Sequence, residues 1–211
     1  MYDFITHTWN VIKGKCPHDC EYCYMKAFPQ PELHFDEKEL KTDLGSGNKI
    51  FVGSSCDMWA DKISDRWLLP IMQKYIDNPD NTYLFQSKNP GRFLKTQFIK
   101  NTILATTIET NRHYPCMGNA PSTEKRHEAL AKLQGLGQTV MVTIEPILDF
   151  DLHDLLIMLR WIHPAWVNIG ADSKHHNLPE PPAKKILELI EGLKEFTEVR
   201  QKNNLSRLLA V

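Results

Sequence analysis

Six short apolar runs, each followed by a loop and an amphipathic stretch, limit this chain's folds more than any other feature. They span residues 5–11, 49–53, 82–86, 102–108, 139–144 and 165–170. Most are apolar on both faces, as expected of strands buried inside a parallel sheet. The stretches between them carry helical periodicity. Residues 61–77 place Ile63, Trp67, Leu68, Ile71 and Tyr75 on one stripe. Pro90 can open a helix to residue 98. Ser122 can cap a helix bearing Ala129, Leu130, Leu133 and Leu136, with Gly135 or Gly137 at its end. Asp151 can cap residues 152–162, with Pro164 as a stop, and Pro181-Pro182 leads into a last helix bearing Ile186, Leu189, Ile190, Leu193 and Phe196. Six strands alternating with six helices predict a parallel α/β domain with right-handed crossovers over residues 1–211. The pattern leaves open a doubly wound sheet or an incomplete barrel; in both, chemistry gathers at the carboxyl ends of the strands.

The chain is 42% hydrophobic and 24% charged, enough to bury a core of ordinary kind. No apolar run approaches the roughly 20 residues of a membrane span. Met1-Tyr2-Asp3-Phe4 does not start a secretory signal, so the expectation is a cytoplasmic protein without a membrane partner. A formal net charge of −1 argues against a grip on long nucleic acid through phosphates. Two local groups of cations, Lys88 with Arg92 and Lys95, and Arg200 with Lys202 and Arg207, read as solvated helix faces.

Three of the five cysteines lie in one loop after the first run: Cys16-Pro17-His18-Asp19-Cys20-Glu21-Tyr22-Cys23. An odd count, clustered near one end, is no disulfide framework and points to metal binding or catalysis. Three thiolates spaced C-x3-C-x2-C can hold three irons of a cubane cluster and leave the fourth iron open, whereas an electron carrier normally supplies four cysteines. Zinc is the competing ligand. It would need a fourth donor; His18 is the candidate, and no second C-x2-C pair exists.

The loop, with Tyr22 at its aromatic position, resembles the signature of the radical S-adenosylmethionine superfamily. Cys23-Tyr24 is similar to the spore photoproduct lyase-like subgroup. The rest of the chain is similar to a set of short radical S-adenosylmethionine proteins of phages and prokaryotes. The similarity extends to Val52-Gly53-Ser54-Ser55, Gln86-Ser87-Lys88-Asn89-Pro90, Thr107-Ile108-Glu109-Thr110-Asn111, Ile144-Glu145-Pro146 and Ile169-Gly170-Ala171-Asp172-Ser173, each at an expected strand end. The resemblance implies a partial (β/α)6 TIM-type barrel and a [4Fe–4S] cluster on Cys16, Cys20 and Cys23. It further implies S-adenosylmethionine on the open iron, an external flavodoxin- or ferredoxin-like one-electron reductant, and a 5′-deoxyadenosyl radical that removes hydrogen from a substrate of nucleotide or nucleic-acid class. The alternative is a non-catalytic Fe–S or zinc module with a redox or regulatory role. A third possibility, a nucleic-acid binder with a structural cluster, is disfavoured by the charge.

Individual contacts follow from the strand-end rule and from the resemblance. Ser54 and Ser55 stand where relatives carry a Gly-Gly-Glu segment that meets the methionine amine; the glycine pair and the glutamate are missing here. Lys88 can reach a carboxylate as a point charge or sit exposed before a turn. Glu109 and Asn111 can grip ribose hydroxyls, and Arg112 a carboxylate. Glu145 either joins the site or caps local backbone; Gly170 and Asp172 line an adenine pocket or a substrate face. Cys56 either packs as a small apolar group or, as in spore photoproduct lyase, returns a hydrogen atom to a product radical. Cys116 is expected to pack, and His113, Tyr114, His175 and His176 read equally as a solvated loop.

Overall fold

In the computed structural model, which describes residues 2–210, all six runs form strands. They are β1 (His7–Trp9), β2 (Lys49–Val52), β3 (Thr82–Gln86), β4 (Thr102–Thr107), β5 (Thr139–Ile144) and β6 (Trp166–Ile169). A seventh strand not expected from the sequence, β7 (Glu198–Gln201), follows. Arg200 therefore sits on a strand and not on a helix face. All seven run parallel in chain order from β1 to β7. A doubly wound sheet reverses its strand order, and this one does not. Crossovers of one hand then put every connection on one face, and the sheet curls toward a barrel. β1 and β7 do not pair with each other, so the barrel is partial, with seven strands where six were expected.

Four full-length helices cover the outer face: α1 (Asp65–Ile76), α2 (Thr123–Gly135), α3 (Leu152–Ile162) and α4 (Ala183–Lys194). Ser122 caps α2, its Oγ accepting from Lys125 N at 3.5 Å. Pro90 opens only the 3-10 turn Pro90–Lys95. Asp151 stands at the N-cap of α3 without capping it; its carboxylate is engaged elsewhere. Between β1 and β2 the sole α-helix among the described residues is the four-residue Glu37–Leu40, so the expected six-helix layer is thinner than the periodicity suggested.

The strand alternation divides the core in two. Ile50, Val52, Tyr83, Phe85, Leu104, Val140, Val142, Val167 and Ile169 point outward against the helices. Trp59 wedges between Phe85 and Phe93 with edge-on rings 5.7 and 5.0 Å away, a geometry worth about 0.5–1.5 kcal/mol per pair beyond area burial. Inside the barrel, Leu84, Ala105, Met141 and Trp166 form an apolar floor with Tyr2 from the N-terminal segment. Above that floor the inward positions turn polar: Gln86, Thr107, Thr143 and Glu145. The fold thus closes one end of the barrel and leaves the carboxyl end hollow. No described helix is long and apolar enough to cross a membrane.

Candidate functional site

The cysteine loop lies across the carboxyl end of the barrel, pinned by the 3-10 turn Pro115–Met117 and the two residues after it. Glu21 N donates to Cys116 O at 2.9 Å, Asn119 N to His18 O at 2.7 Å and Cys20 Sγ to Met117 O at 3.3 Å. Gly118 has φ +66°, and a Cβ there would stand 2.2 Å from His18 O, so the loop rests directly on bare backbone. Cys116 packs beside Cys20, Tyr22 and Leu148.

Two further elements bind the loop from below. Gly53, at φ +74°, ends β2 in a tight turn. Asn10 Oδ1 then accepts from Ser54 Oγ at 3.1 Å and from Ser55 N at 3.0 Å, while Ser55 Oγ is buried without a partner. Asp57 follows, almost wholly buried. Its Oδ2 accepts from His18 Nε2 (2.8 Å), Ser87 Oγ (2.9 Å) and Lys88 N (2.8 Å), and its Oδ1 from Trp59 N (2.9 Å). Burial opposes the His18 cation, yet the Asp57 carboxylate outweighs it and lifts the His18 pKa. His18 Nε2 is therefore committed to Asp57. Between the serines and Asp57, Cys56 is buried beside Cys16. The neighbouring thiol pulls the Cys16 pKa below its usual range and, with burial, pushes that of Cys56 up.

The residues after β3 and β4 form a buried ion cluster. Tyr22 OH and Lys88 Nζ both bond Glu109 Oε1, and Lys88 Nζ also reaches Tyr22 OH at 2.6 Å. Glu109 Oε2 accepts from Arg126 Nη1 at 2.7 Å; the side chains of both residues are 0% exposed. Burial alone would raise the Glu109 pKa, but Lys88 and Arg126 overcome it and hold it at about 2. Tyr22 and Lys88 face the barrel's hollow; Glu109 and Arg126 lie behind them.

Asn111 and Arg112 do not turn into the hollow. Arg112 Nε donates to Asp151 Oδ2 at 2.8 Å and Nη1 to Asp149, while Asp151 N donates to Asn111 Oδ1 at 2.8 Å. Both lie on the loop after β4, as the strand-end rule expects, but the carboxylates ahead of α3 engage them away from the hollow. Glu145 does face the hollow. It is paired with Lys202 Nζ at 2.6 Å and accepts from Asn204 Nδ2 at 3.2 Å. Gly170 lies against it: a Cβ there would meet Glu145 Oε1 at 3.0 Å. Asp172 lines the same wall and accepts from His176 Nδ1 at 2.8 Å. Tyr114 OH donates to Asp149 O at 3.2 Å.

Together these groups enclose an open cavity of about 770 Å³ bordered by Cys16, Cys20, Cys23 and Cys56, by Lys88, and by Glu145. That is room for a nucleoside-sized ligand and more. Among the described residues no three His, Cys, Asp or Glu side chains converge on one point as a single ion requires. Cys16, Cys20 and Cys23 share one cavity wall, a set of thiol donors that fits three irons of a cluster. Asp57, Arg126 and Lys202 were not singled out from the sequence as site residues. Arg126 had a readable signal: it shares the helical stripe of Ala129, Leu130 and Leu133, so a charge was placed on an apolar face.

No protein-family model matches the sequence, and no curated protein does. Solved structures match it in fold. An alanine-for-cysteine variant of spore photoproduct lyase with a dinucleoside spore photoproduct aligns at TM-score 0.66 and 12% identity over 92% of this chain and 76% of that one. Spore photoproduct lyase complexed with the dinucleoside aligns at TM-score 0.65 and 11% identity, with 92% and 76% covered. A double variant with bound AdoMet and the dinucleoside gives TM-score 0.58 at 12% identity, with 90% and 61% covered. What this likeness establishes is the fold: the chain is built on the partial parallel barrel of spore photoproduct lyase, a distant structural relationship to the group that its cysteine loop resembles.

Proposed function

We propose that this chain is a radical S-adenosylmethionine enzyme acting on a substrate of nucleotide or nucleic-acid class. Cys16, Cys20 and Cys23 would hold a [4Fe–4S] cluster at the cavity wall, with S-adenosylmethionine beside it. When bound, the cluster supplies one electron to the sulfonium and thereby yields methionine and a 5′-deoxyadenosyl radical. The chain's own residues prepare the space for that event. The Pro115–Met117 turn and Gly118 fix the backbone of the loop. Ser54 and Ser55 stand beside the loop, and the Ser55 hydroxyl is the group there without a partner of its own. Lys88 presents an ammonium to a carboxylate. Glu145, with Gly170 giving it room, presents acceptors to hydroxyls or a base edge. Cys56 holds a hydrogen atom on sulfur at the edge of the same space. Its donation to a carbon-centred product radical leaves a sulfur radical, which an electron and a proton restore to the thiol. Low-potential one-electron chemistry needs an outside donor, a flavodoxin- or ferredoxin-like protein.

The observation that carries the reading is the shared cavity: three loop thiols and Cys56 border one hollow at the carboxyl end of a parallel barrel. The neighbours' dinucleoside ligands support the substrate class. The test is anaerobic reconstitution with iron and sulfide, then addition of S-adenosylmethionine and dithionite. Release of 5′-deoxyadenosine is expected even without substrate. A fully loaded cluster that releases none would leave a non-catalytic Fe–S module as the function.

A further inference from the structure

Arg126 is a buried charge, 1% exposed, that no step of the proposed chemistry uses. It projects from the first turn of α2 to the back of the cavity wall. Nε donates to Pro121 O at 2.6 Å, and Nη1 to Thr107 O at 2.9 Å and Glu109 Oε2 at 2.7 Å. Nη2 is buried without a partner. Such a commitment of guanidinium to carboxylate costs desolvation and is weak as a stability device, so its use is sought in the charge it leaves behind.

The cluster holds two cations, Lys88 and Arg126, and one carboxylate, Glu109, hence a surplus of one positive charge. Tyr22 does not cancel it, because its OH donates a hydrogen bond to Glu109 Oε1 and so keeps its proton. Asp57 also borders the cavity, but it bonds His18, Ser87 and the backbone amides of Lys88 and Trp59, not Lys88 Nζ. The surplus is presented to the cavity by Lys88, which borders it while Arg126 and Glu109 do not. Without Arg126, Lys88 and Glu109 would form a closed neutral pair.

We propose that Arg126 is a positioning residue. By occupying Glu109 Oε2 it leaves the Lys88 ammonium as uncompensated charge and so makes that point of the wall a carboxylate anchor. The ligand is the carboxylate of S-adenosylmethionine in the function proposed above, on which this inference rests.

The experiment measures equilibrium binding of S-adenosylmethionine and of its decarboxylated form to the reconstituted protein. Arg126→Met should weaken the first by about tenfold to a hundredfold, the range of a lost charge-assisted bond, and leave the second unchanged. Arg126→Lys should restore most of the loss. Lys88→Met keeps the Arg126–Glu109 pair and should show the same selective loss, which guards against a misfolded Arg126→Met. Arg126→Met protein that binds S-adenosylmethionine as tightly as wild type, or equal loss for both ligands in either methionine variant, overturns the inference. Wild-type protein that binds both ligands equally well overturns the anchor and leaves the proposed function standing. Wild-type protein with a loaded cluster that binds neither ligand overturns both.

Discussion

His18 Nε2 stands 2.8 Å from Asp57 Oδ2, and this bond joins the cysteine loop to the strand ends beneath it. An ionised carboxylate only accepts, so the imidazole donates. The same side chain holds Ser87 Oγ and the amides of Lys88 and Trp59. Asp57→Ala would leave a buried imidazole, a hydroxyl and two N–H groups without their acceptor. The expected loss is about 3–5 kcal/mol. Asp57→Asn keeps one acceptor oxygen and should lose less, about 1–3 kcal/mol. Urea unfolding at neutral pH reads both, with an unchanged slope marking a stability effect. An Asp57→Ala midpoint equal to that of wild type would show that the loop is held by other means.

Gly118 gives a sharper test of how the loop is seated. Its φ of +66° already disfavours a side chain, and the Cβ of Gly118→Ala would lie 2.2 Å from His18 O and 2.9 Å from Asp19 O. Backbone on both sides leaves no flexible group to move aside. Gly137 shares the positive φ, +82°, but has nothing within 4 Å. Gly137→Ala should therefore cost only backbone strain, about 1 kcal/mol, and leave iron uptake intact. Gly118→Ala should cost more and lower the iron bound per chain. Thermal unfolding and iron analysis of the two variants would separate strain from displacement; equal iron contents would refute the seating.

Much of the barrel was legible because strands buried on both faces are largely apolar on both. Residues 82–86 and 139–144 carry that pattern and form β3 and β5. β7 was not legible for the converse reason. Glu198-Val199-Arg200-Gln201 is an edge strand with both faces partly in solvent, so nothing forces its side chains to be apolar. The cysteine loop was legible because spacing alone limits what three thiols on eight residues can hold. Side-chain direction was not. Glu109 and Arg112 follow the same strand; one turns into the ion cluster and the other out to Asp149 and Asp151. That choice is made by partners far away in the chain, Arg126 and Asp151, which local pattern does not specify.

Glu109 also sets an acid limit. Its pKa is about 2 in the folded chain against an ordinary 4.5. A depressed carboxylate contributes stability that is complete above the unfolded value and is lost as pH falls through the folded one. The contribution, on the order of 3 kcal/mol for a difference of that size, should disappear between about pH 4.5 and pH 2. Unfolding free energies measured from pH 6 down to pH 2 should show this slope in wild type and a flatter curve in Glu109→Gln. Parallel curves would mean that other carboxylates dominate the acid transition.

In the function proposed here, Cys56 separates cleavage of the cofactor from completion of a reaction. It is 3% exposed, lies beside Cys16 and borders the cavity. The neighbouring thiol and burial push its pKa up, so the sulfur keeps its hydrogen. A hydrogen-atom donor must meet that condition, and a nucleophilic or metal-binding thiol would be tuned the other way. Cys56→Ala removes the donor but leaves Cys16, Cys20 and Cys23. Iron content and 5′-deoxyadenosine release should therefore stay within about twofold of wild type, since neither depends on a group that acts after the radical forms. Turnover of a dinucleoside substrate should stop short of product. In D2O the exchangeable S–H becomes S–D, so wild-type product should carry solvent deuterium at one carbon and any residual product of Cys56→Ala should not. If both proteins give product at the same yield and with the same label, the hydrogen comes from elsewhere and Cys56 is a packing residue.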